Sequence, residues 1–306
     1  MLRVRFLGTG GSFPTPVRNT SAILIHREGD LMLFDCGEGA QKQMMRTKSG
    51  MGSLGSVFLT HLHADHFLGL PGVIQTMSFQ KRREPLTVYG PKGTEELMGH
   101  IMALGNFRPR FEVRVKELSP GDVIRMSGYE IRAFRTEHSI RSIGYVLEED
   151  ERLGRFNRER AIELGVPPGP LFSKLHRGES VIIDGRVIRS EEVVGPPRPG
   201  RKVVYTGDTR PCRSVIEAAK GADLLIHDST MGDELADWAA EYHHSTAREA
   251  AEVAKEAGVL QLVLMHISPR YSESPRKLLE DARKVFPNVV VAEDLMEIEV
   301  KFRDKR

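Results

Sequence analysis

The chain is poor in cysteine, in amide side chains and in long apolar runs. Two cysteines, Cys36 and Cys212, stand in 306 residues, too few for a disulfide framework. Each reads as a small buried hydrophobe, so any metal site must rely on nitrogen and oxygen donors. No apolar stretch approaches the roughly 20 residues needed to cross a bilayer, which leaves no membrane-spanning helix to expect. The opening MLRVRFLGTGGSF reads as a strand entering a glycine turn rather than a signal peptide, and the expected compartment is the cytoplasm. Four Asn and five Gln against 44 Lys and Arg and 42 Asp and Glu is a bias seen in heat-adapted proteins. The net charge of +2 points to no partner by itself. Its distribution does: residues 151–202 carry a net +4 and the remainder −2. A basic segment on a near-neutral body suits a polyanion, with a solvated linker as the competing reading.

Short strands alternate with helices over most of the chain. SAILIH (21–26) and LMLFDCG (31–37) flank Gly29-Asp30 as a hairpin. GAQKQMMRT (39–47) suits a helix, SVFLTH (56–61) a buried strand, and a further helix starts near Pro71. LTVYG (86–90) is a strand, Thr94–Leu104 a helix, and residues 112–136 alternate around a Ser127-Gly128 turn. SIGYVLEE (142–149) is one more strand. The pattern then breaks: 150–199, with GVPPGPL, HRGE and VGPPRPG, reads as an inserted arm outside the core, holding a helix over Arg158–Leu164 and a hairpin at Asp184-Gly185. Regular structure resumes with strands at 202–208, 222–228 and 259–268, helices at 246–258 and 275–286, and a closing strand over 289–300. This interleaving predicts an α/β layered domain with its site just past the strand ends.

THLHADH (60–66) lies at such an end. Neutral imidazole and carboxylate are what Zn²⁺ takes when thiolates are absent. His61 and His63 alternate in an extended segment and point one way, while Asp65 and His66 point to a second position. His138, Asp208 and His266 stand after other strands. The seven make two adjacent sites: His61, His63 and His138 for one metal, Asp65, His66 and His266 for the other, Asp208 bridging. Two metals roughly 3.5–4 Å apart suit in-line displacement at phosphorus with a bridging hydroxide, and Asp65 is placed to orient that nucleophile as general base.

The HxHxDH spacing resembles the metallo-β-lactamase fold superfamily, which implies a four-layer αββα sandwich but leaves the substrate open. FLGTGGSFPTPVRN (6–19), FDCGEGAQ (34–41), SFQ (78–80), PPGPLFSKLHRGESV (167–181), YTGDTRP (205–211) and HST (244–246) narrow it. Together they resemble tRNase Z, the endoribonuclease that removes 3′ trailers from precursor tRNA, from residue 4 to about 300. The resemblance implies a catalytic domain of residues 1–149 and 200–306 with a flexible tRNA-binding arm at 150–199. It also implies the seven metal ligands above, two zinc ions per subunit with Mn²⁺ or Fe²⁺ as substitutes, and His244 as the acid that protonates the leaving ribose oxygen. Homodimers that lend the arm of one subunit to the site of the other are part of the same expectation. Arg18 and Asn19, in the loop after the first strand, are expected to hold a phosphate or 3′ nucleotide. Lys174 and Arg177, which follow a rigid PPGP turn, are expected to dock folded RNA by shape and phosphates. The chain departs from the family at Pro16, where a lysine is usual, and at His227-Asp228, where His-Glu is usual. Asp228 retains the ability to orient His244, one methylene shorter.

Other residues have plain readings. His243 is solvated, and His26, His100 and His176 are loop or surface residues. Lys81, Arg82 and Arg83 read equally as a helix C-terminal cap or an RNA contact. The expected activity is hydrolysis of precursor tRNA 3′ to the discriminator nucleotide, leaving a 3′-hydroxyl and a 5′-phosphate. The alternatives are a phosphodiesterase or exonuclease on small or unstructured substrates, and a tRNA-binding protein whose metal is structural.

Overall fold

A computed structural model describes residues 1–303. The chain opens with β1 (Leu2–Gly8), β2 (Ala22–Arg27) and β3 (Asp30–Phe34), then α1 (Ala40–Arg46), β4 (Leu54–Phe58), α2 (Ala64–Phe67), α3 (Leu70–Phe79), β5 (Leu86–Gly90), α4 (Thr94–Ala103) and β6 (Val113–Glu117). A meander follows, β7 (Val123–Met126), β8 (Tyr129–Arg135) and β9 (Ile143–Glu149). After it come α5 (Arg158–Glu163), α6 (Pro170–His176) and the hairpin β10 (Val181–Ile183) and β11 (Arg186–Ile188). The closing part is β12 (Lys202–Tyr205), α7 (Arg213–Ala219), β13 (Leu224–Asp228), α8 (Ala236–Glu241), α9 (Ala247–Ala257), β14 (Leu262–Met265), α10 (Arg276–Arg283), β15 (Val289–Val291) and β16 (Glu297–Glu299).

Two sheets of seven strands result, in the orders β16-β1-β2-β3-β4-β5-β6 and β15-β14-β13-β12-β9-β8-β7. Period-two burial explains how they face each other. Leu2, Val4 and Phe6 of β1 point inward to meet Tyr129, Ile131, Tyr145 and Val203 of the other sheet. The outer face of the first sheet buries Leu33, Val57 and Val88 under Met44, Val73, Met77 and Met98 of α1, α3 and α4. The outer face of the second is covered by α7, α9 and α10. Helix α9 is typical of these covers: Ala247, Ala250, Ala251, Val253, Ala254 and Ala257 line its buried face, and Thr246 with Glu249 forms a capping box. The expected αββα layering is therefore the observed one.

The two sheets also fix directions. Strands β4, β8, β12, β13 and β14 all end at one edge of the sandwich, where the histidine and aspartate cluster sits. β9 runs the other way, from Ile143, whose N–H donates to the Thr60 carbonyl at 2.9 Å, to Glu149 at the far edge. A seven-residue strand spans about 20 Å, so residues 150–199 leave and re-enter the sandwich at the edge remote from the cluster. That root is built from buried charges in contact. Glu149 accepts from Arg27 Nε at 2.9 Å and from Arg201 Nε and Nη2 at 2.6 and 2.7 Å. Arg152 and Arg201 lie 3.6 and 4.1 Å from the centre of the Phe302 ring.

Three expectations need correcting. Residues 150–199 do have a core, a small one of Ala161, Val166, Leu175, Val181, Ile188 and Val193. It escaped notice because its apolar residues are dispersed rather than in runs. Within it PPGP starts a helix, α6, rather than forming only a turn, since proline suits the first helical turn. The closing segment 289–300 is two strands. β15 pairs β14 in one sheet and β16 pairs β1 in the other. The chain crosses between them with Leu295 at φ 72°, its N–H donating to the Phe6 carbonyl at 2.7 Å.

Candidate metal centre

The ends of β4, β8, β12 and β14 bring seven side chains to one cavity. His61, His63, His138 and Asp208 form one set of donors within 4.8 Å of one another, and Asp65, His66 and His266 form a second. The Asp208 carboxylate lies between them, 3.6 Å from His61 Nε2, 3.9 Å from His138 Nε2, 3.4 Å from His66 Nε2 and 3.3 Å from His266 Nε2. His138 Nε2 is 3.2 Å from His63 Nδ1, and Asp65 Oδ2 is 3.4 Å from His266 Nε2 and 3.7 Å from His66 Nε2. Two tight glycine approaches make this possible. A Cβ on Gly11 would meet the His266 ring at 2.4 Å, and one on Gly207, at φ 60°, would meet Thr60 at 2.7 Å.

Four of the five rings are held from behind, which selects the nitrogen facing the cavity. His61 Nδ1 lies 3.0 Å from Thr60 Oγ1 and His266 Nδ1 2.8 Å from Thr230 Oγ1. His138 Nδ1 meets the His243 carbonyl at 3.0 Å, and His66 Nδ1 meets Asp35 Oδ2 at 2.8 Å. Asp35 is itself buried and also accepts from Thr60 N at 2.8 Å and Tyr205 OH at 2.7 Å. Asp65 Oδ2 accepts from the Ser12 N–H at 2.8 Å. His266, His243 and Asp35 all have left-handed backbone, φ 59°, 58° and 53°; such strain concentrates at functional sites.

Electrostatics agree with a cation site. Burial holds His61, His63 and His138 below the ordinary imidazole range, so they are neutral donors. At His66 burial opposes the proton but Asp208 and Asp35 outweigh it and push the ring up. A metal cation between this ring and the carboxylates would satisfy the same charge without a proton. His61 Nε2, His66 Nε2 and Asp208 Oδ1 are buried with no hydrogen-bond partner among the described residues. Three orphaned donor atoms converging on one cavity fit metal ions of nitrogen and oxygen preference. Burial, then Asp35, pushes the Cys36 thiol up, so it remains protonated and outside the donor set.

Next to the donors, His244 Nδ1 is 2.8 Å from Asp228 Oδ2. Asp228 is otherwise fully engaged, accepting from Thr209 N at 3.0 Å, Thr230 N at 3.0 Å and Thr230 Oγ1 at 2.7 Å. It is thus a hydrogen-bond hub for His244 rather than a ligand. Burial disfavours protonation of His244, but Asp228 and then Asp208 overcome it and raise its pKa to about 9.

A family profile described as anti-Pycsar protein Apyc1 matches residues 2–154, and one described as a β-lactamase superfamily domain matches 192–267. Full-length relatives also run through the segment between them. A protein named ribonuclease Z from Methanosarcina acetivorans is 61% identical over 303 residues, covering 99% of both chains. One of the same name from Archaeoglobus fulgidus is 51% identical with the same coverage. The chain belongs to the ribonuclease Z family. The crystal structure of human tRNase Z, short form, superposes with a TM-score of 0.73 at 30% identity, covering 98% of this chain and 100% of that one. YhfI from Bacillus subtilis, a metallo-β-lactamase fold protein, shares the fold with a TM-score of 0.70 at 20% identity, covering 97% of this chain and 98% of that one.

Within this chain the remaining expected contacts separate. Lys174 and Arg177 are exposed on and after α6, Arg177 pairing with Glu179 at 3.2 Å. Arg18 and Asn19 are turned inward instead. The Arg18 guanidinium is buried and donates to Thr9 Oγ1 at 2.7 Å, the Ala292 carbonyl at 2.6 Å and the Ser272 carbonyl at 3.1 Å. Asn19 donates from both its backbone and its amide to Asp294, at 2.8 and 2.7 Å. The pair anchors the loop; the exposed residues are at its tip, Phe13 among them. Arg82 is likewise structural, donating to the carbonyls of Gly52, Glu84 and Pro85. His176 Nε2 bonds the Gly154 carbonyl at 3.0 Å, inside the arm. Sequence reasoning passed over Asp35, Thr60, Thr230 and Tyr205. Only Asp35 had a signal, an acid at the end of the buried run LMLF.

Proposed function

We propose that this protein is a zinc-dependent endonuclease that removes the 3′ trailer of precursor tRNA, cutting 3′ to the discriminator nucleotide. The observation that carries the reading is the pairing of two donor sets through Asp208 beside a His244 whose Nδ1 is 2.8 Å from Asp228 Oδ2. His61, His63 and His138 would hold one zinc ion, and Asp65, His66 and His266 the other, with Asp208 shared. Divalent metal there supplies Lewis acidity to the phosphoryl oxygens and lowers the pKa of water. Asp65 accepts the proton of the attacking water, as its Oδ2 is aligned by the Ser12 N–H. His244 donates through Nε2 to the ribose O3′ as the P–O3′ bond breaks. The new P–O bond is to water oxygen, so the tRNA keeps a 3′-hydroxyl and the trailer a 5′-phosphate.

The arm, 150–199, grips the body of the tRNA through Lys174, Arg177 and their neighbours. Its root is at the edge remote from the metal centre, which favours a homodimer in which each arm serves the partner's site. Among the described residues no helix is long and apolar enough to cross a membrane, and the proposed setting is the cytoplasm.

The test is to map both ends produced from a 3′-extended precursor tRNA by zinc-loaded protein. A single cut after the discriminator with 3′-hydroxyl and 5′-phosphate ends, lost in Asp65→Ala, is expected. A 2′,3′-cyclic phosphate at the cut would refute the mechanism. Turnover of small phosphodiesters alone would refute the substrate.

A further inference from the structure

A second feature opens at the edge that carries the metal centre. A groove of about 560 Å³ runs up to His138 and is lined by Lys92, Arg135, Glu137, Ile140 and Arg141 among others. Lys92 follows β5, Arg135 ends β8 and Arg141 precedes β9, so three separate elements each contribute one cation. All three side chains are exposed, and none has an ion pair or side-chain hydrogen bond among the described residues. Other surface arginines are paired, Arg125 with Asp150, Arg213 with Glu217 and Glu256, Arg248 with Asp233 and Glu252, Arg276 with Glu280, whereas these three cations share one groove. Glu137 is the only carboxylate in the lining. Glu117 stands nearby; its carboxylate accepts from the Gly93 and Glu95 N–H groups and also feels the charges of Lys92 and Arg141 without forming an ion pair with either.

The groove wall is fixed to the catalytic loops. Glu137 N–H donates to Thr209 Oγ1 at 3.0 Å and the Glu137 carbonyl accepts from Arg210 N at 2.8 Å, next to Asp208. Thr136 Oγ1 bonds Ser142 Oγ at 2.7 Å, and Ile143 N–H bonds the Thr60 carbonyl next to His61. The backbone that carries Arg135 and Arg141 thus has a set position relative to the donors. Unpaired cations beside a phosphodiester-cleaving centre match a polyanion whose next phosphates follow the scissile one.

We propose that Lys92, Arg135 and Arg141 form a subsite for consecutive ribose-phosphates of the substrate strand, extending from the His138 side of the metal centre. The inference rests on the RNA reading of that centre. It names residues that position the strand, distinct from the arm that grips the tRNA body.

The test compares wild type with the triple variant K92A/R135A/R141A, both zinc-loaded, on one 3′-extended precursor tRNA. Metal content and melting temperature establish that the variant is folded. We expect KM to rise at least about tenfold with a smaller change in kcat. The slope of log affinity against log salt should flatten by about 2, from roughly 0.7 per single-strand phosphate contact. The conservative variant K92R/R135K/R141K should recover most of both. An unchanged salt slope, or a loss confined to kcat, would overturn the subsite. Should wild type itself fail to cut precursor tRNA while hydrolysing a chromogenic phosphodiester, the RNA reading fails first and takes the subsite with it; the two failures are distinguished by the wild-type reaction alone.

Discussion

The metal centre and the arm use charge in opposite ways. At the centre, charged and polar groups are buried and each is constrained by a neighbour: His66 by Asp35, His266 by Thr230, His244 by Asp228. The strands that carry them are packed on both faces. In the arm most of the cations, Lys174 and Arg177 among them, are exposed, the strands have three residues each, and the hydrophobic cluster is small. Bond-making geometry must be held within fractions of an ångström, which requires a core behind it. A docking surface for an RNA body needs reach and charge but tolerates motion between its root and its tip. The difference predicts that injuries to the two regions separate by substrate.

Removal of the arm is the largest such separation. The chain leaves at Glu149 and returns at Arg201, whose carbonyl accepts from the Glu149 N–H at 3.0 Å, so a short linker can replace 152–199 without moving β9 or β12. We expect precursor tRNA cleavage to fall by roughly 100-fold or more, since several phosphate contacts are lost together. Turnover of a chromogenic phosphodiester should remain near wild type. Equal loss on both substrates would show that the arm supports the centre itself and would end the contrast drawn above. Equal retention would favour an enzyme of small substrates.

Asp35→Asn tests the other side. The amide keeps the shape but loses the charge behind His66 and leaves one acceptor fewer for Thr60 and Tyr205. Loss of a supporting group of this kind costs about 10- to 100-fold in metal affinity or activity. Here both substrates should suffer alike, measured as zinc retained after dialysis and as turnover of each. A defect limited to precursor tRNA would be inconsistent with Asp35 acting through the metal ligand.

The same contrast explains what was legible in the sequence. Histidines at 61, 63 and 66 are close in sequence because one strand end presents them, and their spacing alone announces a metal site. His138, Asp208 and His266 are far apart in sequence, but strand ends gather sites in α/β folds and so marked them. Arg18 and Asn19 were misread because a polar pair in a loop beside the site looks available; only the packing of Thr9, Ala292 and Asp294 shows where their donors go. Thr60, Thr230 and Tyr205 have no signature, since a hydroxyl that braces an imidazole is ordinary by composition. The crossing at Leu295 was hidden by two apolar runs separated by too few residues to look like two strands.

The smallest effect, and the most specific, concerns Asp228. His244 must carry its proton to act as an acid. Its raised pKa, about 9, means the acid form is full well below that pH and is lost as pH rises through it. Burial alone would lower the pKa, and the upward push comes from Asp228 and then Asp208. In Asp228→Asn the first of these charges is gone while hydrogen bonding is partly kept. The basic limb of kcat against pH should therefore move down by about one unit or more, a change of roughly 1.4 kcal/mol per unit in the balance of the two forms. Rates well below the new limb should change little. The limb should appear with a small substrate too, provided its leaving group is a poor one that needs the proton. With an activated leaving group it should vanish in both proteins. A limb that stays in place in Asp228→Asn would mean that the group titrating there is not His244.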